Sequence, residues 1–234
     1  MKKQKRLLVP LFIIAFGCFI SSCKKQSTSS AQCRITDIKI NDKYNSEIKL
    51  EYNADKKLSI VTYTPLYGRR ILTYKDNFIF VMVVDSNWQV NALDTVSLNS
   101  EGLINSIWFS NYPSSSSPAY DSFFYDSKGE VIQYVDGSPG WRYPTNYGWD
   151  NGDMISDSRE PGTVPEYYAD KKAADGDYLR ISDFIDWGLP IYKCNHLYKG
   201  GKSYAYSYAF DSDGKIISLL NNGKEVYRYS YACD

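Results

Sequence analysis

A single histidine, His196, stands two residues after Cys194, and carboxylates recur at short spacings as Asp150/Asp153, Glu160/Glu166 and Asp183/Asp186. One histidine excludes any site that needs two imidazoles, and it leaves Cys194 and His196 as the one legible nucleophile and base. Two apart on a strand they would point to one face, but no oxyanion sequence or orienting acid accompanies them, so they read as core or surface residues. Paired carboxylates can share acid and base work on a glycosidic bond. With 27 acidic residues such spacings arise by chance, and most should be solvated. No Walker sequence occurs and no G-x-G-x-x-G follows a strand, so nucleotide chemistry is not indicated. Asp211-Ser212-Asp213-Gly214 could suggest a calcium loop, but its Gly comes fourth instead of sixth and Asn222 stands where the twelfth-position Glu belongs. No catalytic residue, metal or cofactor is expected. The aromatic residues are the richer signal: Trp141, Tyr143, Tyr147 and Trp149 crowd a Gly/Pro stretch with Arg142. Rings exposed on a rigid loop stack on sugar faces and peptides, which makes these four the candidate ligand contacts. The same rings could instead cap an open end of the core.

The cysteines divide by position. Lys2, Lys3, Lys5 and Arg6 precede an apolar run from Leu7 to Ile20, the pattern of a secretory signal. At about 1.5 Å per residue that run spans only about 21 Å, short of the roughly 30 Å hydrocarbon core of a bilayer. Ile20-Ser21-Ser22-Cys23 resembles a bacterial lipobox, so residues 1–22 are expected to be removed and Cys23 acylated, anchoring the protein to a membrane. Residues 23–32, small and polar, read as a flexible tether, and 33–234 as a single domain. Cys33 opens the first strand and Cys233 closes the last, so an antiparallel pairing of the two would set these thiols face to face. A bridge through Cys194, or none, are the alternatives.

The 27 cations balance the 27 acids, and no Lys/Arg cluster marks a face, which disfavours nucleic acid as a partner. Residues 1–22 hold four of the cations and no acid, so the remainder is net acidic. At 234 residues the chain has room for one sizeable core.

The elements that must position these residues are hairpins. Six times an aromatic or apolar strand runs into Asp, Asn or Ser, then Gly or Lys, then an aliphatic or aromatic residue: at Tyr52 to Leu58, Tyr74 to Phe78, Leu98 to Leu103, Tyr125 to Val131, Trp149 to Met154 and Phe210 to Ile216. In Asp-x-x-Gly the carboxylate caps its own turn and Gly accepts φ > 0 to restore the strand twist. Asn222-Gly223 marks a further tight hairpin, so the last three strands form a meander. Tyr204, Tyr206, Tyr208 and Phe210 alternate with small residues, as do Tyr227, Tyr229 and Tyr231. Such a stripe is a half-buried ladder or an exposed stacking platform. A short helix is expected near 178–188, with Ser182 as a candidate cap and Gly188 as its stop. Residues 111–118 and 136–165 read as loops. The fold expected is mostly β: an antiparallel meander rolled into a curved sheet or half barrel.

Cys33 to Lys39 (CRITDIK), Leu50 to Leu58 (LEYNADKKL), Phe124 to Val131, the short helix followed by Tyr204 to Ile216 (YAYSYAFDSDGKI) and Tyr227 to Cys233 carry a resemblance to a family of uncharacterised Bacteroidetes lipoproteins. That family is built from tyrosine-rich hairpins with a porin-like, half-barrel sheet. The resemblance implies a fold and brings no activity; the chain departs from it around Trp141 to Trp149 and from Leu189 to Gly201. Lys24, in place of an Asp, resembles an outer-membrane sorting signal, and the acidic cluster of surface export is missing. The expectation is a lipid-anchored, periplasm-facing envelope protein, a non-enzymatic binding or assembly module. The alternatives are a carbohydrate-binding or carbohydrate-active protein and a carrier of hydrophobic ligands.

Overall fold

Five hairpins are closed by one local device. The Oδ1 of Asp42 accepts from the backbone N–H of Tyr44 and Ser46, that of Asp85 from Asn87 and Gln89, and that of Asn99 from Glu101 and Leu103. Asp126 accepts from Lys128 and Glu130, and Asp211 from Asp213 and Lys215. Three residues after each of these, the chain enters the left-handed region, at Gly102, Gly129 and Gly214 but also at Asn45 and Trp88. Backbone N–H donation to the carboxylates holds Asp42, Asp126 and Asp211 below the usual carboxylate range. Asp211 thus spends one oxygen on its own turn and the other on Lys215, which makes the segment a turn.

The computed structural model describes residues 32–65, 68–110, 119–137 and 144–234. Cys23, the apolar leader, Trp141 and Tyr143 lie outside the described residues. The elements are β1 (Cys33–Ile40), β2 (Glu47–Tyr52), β3 (Leu58–Thr64), β4 (Gly68–Lys75), β5 (Phe78–Val84), β6 (Val90–Leu98), β7 (Ile104–Phe109), β8 (Ala119–Tyr125), β9 (Val131–Asp136), β10 (Pro144–Asp150), β11 (Asp153–Asp157), β12 (Glu166–Lys172), α1 (Tyr178–Trp187), β13 (His196–Gly200), β14 (Tyr206–Phe210), β15 (Ile216–Asn221) and β16 (Lys224–Cys233). Fourteen strands form one antiparallel sheet that does not close, in the order β11 back through β1, then β16, β15 and β14; β12 and β13 pair separately. The chain's first and last strands therefore meet inside the sheet, in register from Cys33 opposite Cys233 to Ile40 opposite Tyr227, and Cys33 is bonded to Cys233. Cys194 is unbonded and buried.

Bulges curve the sheet, and aromatic side chains complete them. One extra residue enters the ladder at Thr36, Ser59, Asn105, Ile132 and Ile217. A bulge interrupts the regular ladder bonds. In each case the carbonyl just before the extra residue accepts a hydrogen bond from an aromatic ring on the next strand: Tyr52 to Ile35, Tyr74 to Leu58, Tyr125 to Ile104, Trp149 to Val131 and Tyr231 to Ile216. Burial raises the pKa of the four tyrosines, to about 12 at Tyr74, so their hydroxyls stay protonated and able to donate. The stripe of Tyr227, Tyr229 and Tyr231 is thus structural, with Tyr229 buried and its hydroxyl on the Gly176 carbonyl.

The segment between β11 and β14 lies on the inner face. Ile181, Ile185, Ile191 and Leu197 join Ile38, Val61, Ile79 and Ile107 of the strands in one buried core. Phe109 meets Trp187 edge-on, Phe184 stacks on Tyr52, and Arg70 reaches Asp186 at 3.2 Å. The helix begins at Asp177, whose carboxylate accepts from the Leu179 N–H, and ends at Gly188 with φ 78°. Ser182 is therefore not the cap: it sits exposed within the helix, a turn beyond the N–H groups that need an acceptor. The expected 136–165 loop also needs correction, because β10 and β11 pair across Asn151-Gly152 inside it. The hairpin turns at the Trp149 to Met154 signature, and in it Gly148 makes room for the Ser156 hydroxyl.

The same segment touches both edges of the sheet. On the β11 side, Asn195 donates its backbone N–H to the Gly152 carbonyl, and His196 places its N–H and Nδ1 on the two oxygens of Asp153, at 2.9 and 2.6 Å. On the β14 side, Gly200 bridges Ala205, Tyr168 donates to the Tyr206 carbonyl and Tyr208 to that of Tyr198. Neither edge presents a bare row of backbone groups over its full length, which is how sheets avoid edge-to-edge association.

Candidate aromatic binding cleft

Where the inserted segment meets β14, four tyrosines converge from three elements. Strand alternation brings Tyr204 and Tyr206 to one face with centroids 6.4 Å apart and planes 17° apart. Tyr178, the first residue of α1, stacks on Tyr206 at 4.2 Å and 21°. Tyr198 of β13 lies 5.9 Å from Tyr178 and 5.7 Å from Tyr206. Tyr206 is buried, while Tyr178 and Tyr204 remain 39% and 54% exposed, so a buried ring backs two open ones. Burial pushes the Tyr198 hydroxyl up to about 12 and that of Tyr206 higher still, so both stay neutral.

These rings line a cleft of about 250 Å³ together with Arg159, Glu160 and Tyr192. Arg159 is held by Asp157 through Nε at 3.2 Å and Nη2 at 2.7 Å, a two-point contact that raises the guanidinium pKa and neutralises the pair. The Tyr192 hydroxyl is 2.9 Å from that of Tyr147. A second cavity, of about 420 Å³, lies near the β1–β2 turn and is bordered by Arg69, Arg70 and Asp186. Its charges are engaged, Arg70 by Asp186 and Arg69 by the ring of Trp88 at 4.2 Å.

The residues singled out in the sequence fall elsewhere. Tyr147 is buried behind the cleft, supporting Tyr192, and Trp149 is half-buried with its indole N–H on the Val131 carbonyl. Neither ring is open for stacking, because alternation on β10 turns both toward the core. Trp141 and Tyr143 lie outside the described residues. Cys194 precedes β13 and is buried, with burial raising its thiol pKa, whereas His196 is partly exposed. They do not form the same-face pair expected. The acid that orients His196 is Asp153, 43 residues away in sequence and therefore illegible there. Asp150 faces Asp153 across the hairpin, Glu166 pairs with Lys199, and Asp183 accepts from the Ile191 N–H. The cleft tyrosines had one sequence signal, the alternation through Tyr204 and Tyr206; nothing local linked Tyr178, Tyr198 or Arg159 to it.

A mostly β protein built on an open antiparallel meander, with one helix and an aromatic cleft, is what these observations define. In structure it is similar to a porin-like protein from Bacteroides uniformis ATCC 8492, known from a crystal structure, with a TM-score of 0.57 and 14% sequence identity over 86% of this chain and 98% of that one. At that identity the likeness is one of fold. No family model matches the chain, and no curated protein matches it.

Proposed function

We propose that this is a lipid-anchored envelope lipoprotein that binds a ligand in the tyrosine cleft and carries out no catalysis. The observation that carries the binding reading is the pair of open rings, Tyr178 and Tyr204, mounted on the buried Tyr206. Ring faces left in water on a rigid support contribute little to the fold and are what ligand sites use. A pore is disfavoured because the apolar side chains of Ile181, Ile185 and Leu197 fill the inner face that would have to conduct. A hydrophobic-ligand carrier is disfavoured for the same reason. The anchor rests on Ile20-Ser21-Ser22-Cys23 and the tether that follows it, and the porin-like neighbour supports an envelope setting.

Two experiments test this. Mass spectrometry of membrane-fraction protein should find an N-terminus at Cys23 carrying acyl chains; an unmodified N-terminus elsewhere would remove the anchor. A thermal-shift panel of defined oligosaccharides and peptides should contain a class that stabilises the native chain but not the Tyr178→Ala/Tyr204→Ala variant. A panel that shifts neither protein, or both equally, counts against the cleft.

A further inference from the structure

The cleft's geometry and charge also select among ligands, and the argument rests on the binding reading above. Rings that enclose a cationic group stand steeply inclined around one point. Here the planes of Tyr204, Tyr206 and Tyr178 lie within about 20° of one another between successive rings, a near-parallel set instead of a cage. Near-parallel ring faces complement a flat, weakly polar ring face. Charge narrows the choice further. Arg159 is the sole cation among the lining residues, and Asp157 holds it at two points, so the pair offers an anionic ligand no net positive charge. The Glu160 carboxylate also lines the cleft, without an ion pair among the described residues, and such a carboxylate can accept from two neighbouring hydroxyls at once. Ser203 and Thr163 add hydroxyls to the lining. Apolar ring faces together with hydrogen-bonding groups in one lining match a pyranose, which has an aliphatic face and an equatorial rim of hydroxyls. At about 250 Å³ the cleft lies below the roughly 300–1,000 Å³ of sites that enclose a drug-sized molecule, so it takes one end or one segment of a longer chain.

We infer that the cleft binds a neutral pyranose oligosaccharide, with one sugar face on Tyr204 and Tyr178 and its hydroxyls on Glu160. The test uses the whole mature chain on an array of neutral gluco-, manno-, xylo- and galacto-oligosaccharides, polygalacturonate fragments, chitosan oligomers, and acidic and basic peptides. The expected result is retention of a neutral series, weakened about tenfold or more by Tyr204→Ala, a loss equivalent to about 1.4 kcal/mol. Glu160→Gln, which keeps an acceptor, should weaken it less than Glu160→Ala. Raising salt from 0.05 to 0.5 M should change the affinity less than about twofold, because no net charge is exchanged. Tyr204 is exposed, so its truncation should leave the thermal midpoint unchanged and the comparison clean. Retention of the polygalacturonate, chitosan or peptide probes instead, with loss in salt, would overturn the neutral-sugar assignment while leaving a binding module in place. Retention of nothing by the native chain overturns both.

Discussion

The hydroxyl of Tyr74 occupies the space that a Cβ on Gly188 would need. Tyr74 is one of the rings that complete a bulge, through the Leu58 carbonyl, and Gly188 is the left-handed residue that ends α1, with φ 78°. Helix end and sheet thus meet at a point where only a hydrogen fits. Gly214 has a similar φ of 82° but open space around it. Gly214→Ala should therefore cost only the backbone term, about 1 kcal/mol, and Gly188→Ala clearly more, because the clash adds to it. Urea melts of the two variants should separate the contributions; equal losses would mean that the helix end shifts freely over Tyr74.

The bulge rings offer a second measurement. Tyr→Phe at Tyr52, Tyr74, Tyr125 or Tyr231 keeps the ring and leaves a carbonyl beside the bulge without its donor. Each change should lower stability by about 0.5–1.5 kcal/mol, the net worth of a hydrogen bond, and more where the carbonyl is left dry. The same change at Tyr204, whose hydroxyl supports no bulge, should be neutral. Losses at Tyr204 equal to those at Tyr74 would argue against the bulge role.

The pH dependence should run opposite to that of most folds in one window. Burial raises Asp121 and Asp177 to about 6 and Asp183 to about 7, from 3.8. Between those values the folded chain holds protons that the unfolded chain has released, so stability falls as pH rises from about 4 to 7. The turn carboxylates Asp42, Asp126 and Asp211, held low by backbone N–H groups, have the opposite sign and are lost below about pH 4. The melting temperature should peak near pH 4–5. Asp183→Asn should raise it at pH 7.5 by about 2–4 °C and flatten the decline; a midpoint that climbs steadily to pH 7.5 would contradict this account.

Reducing Cys33–Cys233 opens a loop with a sequence separation of 200. The chain-entropy treatment assigns such a loop about 5 kcal/mol, an upper figure where the unfolded chain retains structure. Cys33→Ser/Cys233→Ser should unfold at lower denaturant yet keep the strand signature, since β1 and β16 remain paired by their backbone. Non-reducing peptide mapping should recover the 33–233 peptide and leave Cys194 alkylatable only after unfolding.

What was legible in the sequence is what local chemistry controls. Asp126 and Asp211 with their glycines announce their turns because the side chain bonds its own backbone and Gly alone takes φ > 0 without strain. The helix is legible from Leu179, Phe184, Ile185, Trp187 and Gly188, but Ser182 competes with Asp177 for its cap because Ser and Asp are equal on composition and only burial distinguishes them. Tyr147 and Trp149 admit both an open and a packed reading, because a Gly/Pro-rich stretch looks like a loop. The packed one holds because of a distant segment: Tyr192, 45 residues on from Tyr147, meets its hydroxyl. The same non-locality hid Asp153 from His196 and Tyr178 from Tyr206.

Because Cys33 and Cys233 stand 4.0 Å apart at Cα in the body of the sheet, the last strand ends beside where the first begins. The fold has in effect no intrinsic starting point: a short peptide across that gap could replace the sulfur bond, and the backbone could be cut at an exposed hairpin such as Asn222-Gly223 to create new termini. A circular permutant of this kind would keep every strand neighbour. Under the anchor proposed above, it would also move the point of attachment, so that the cleft could be held at a different angle to the membrane with its residues untouched.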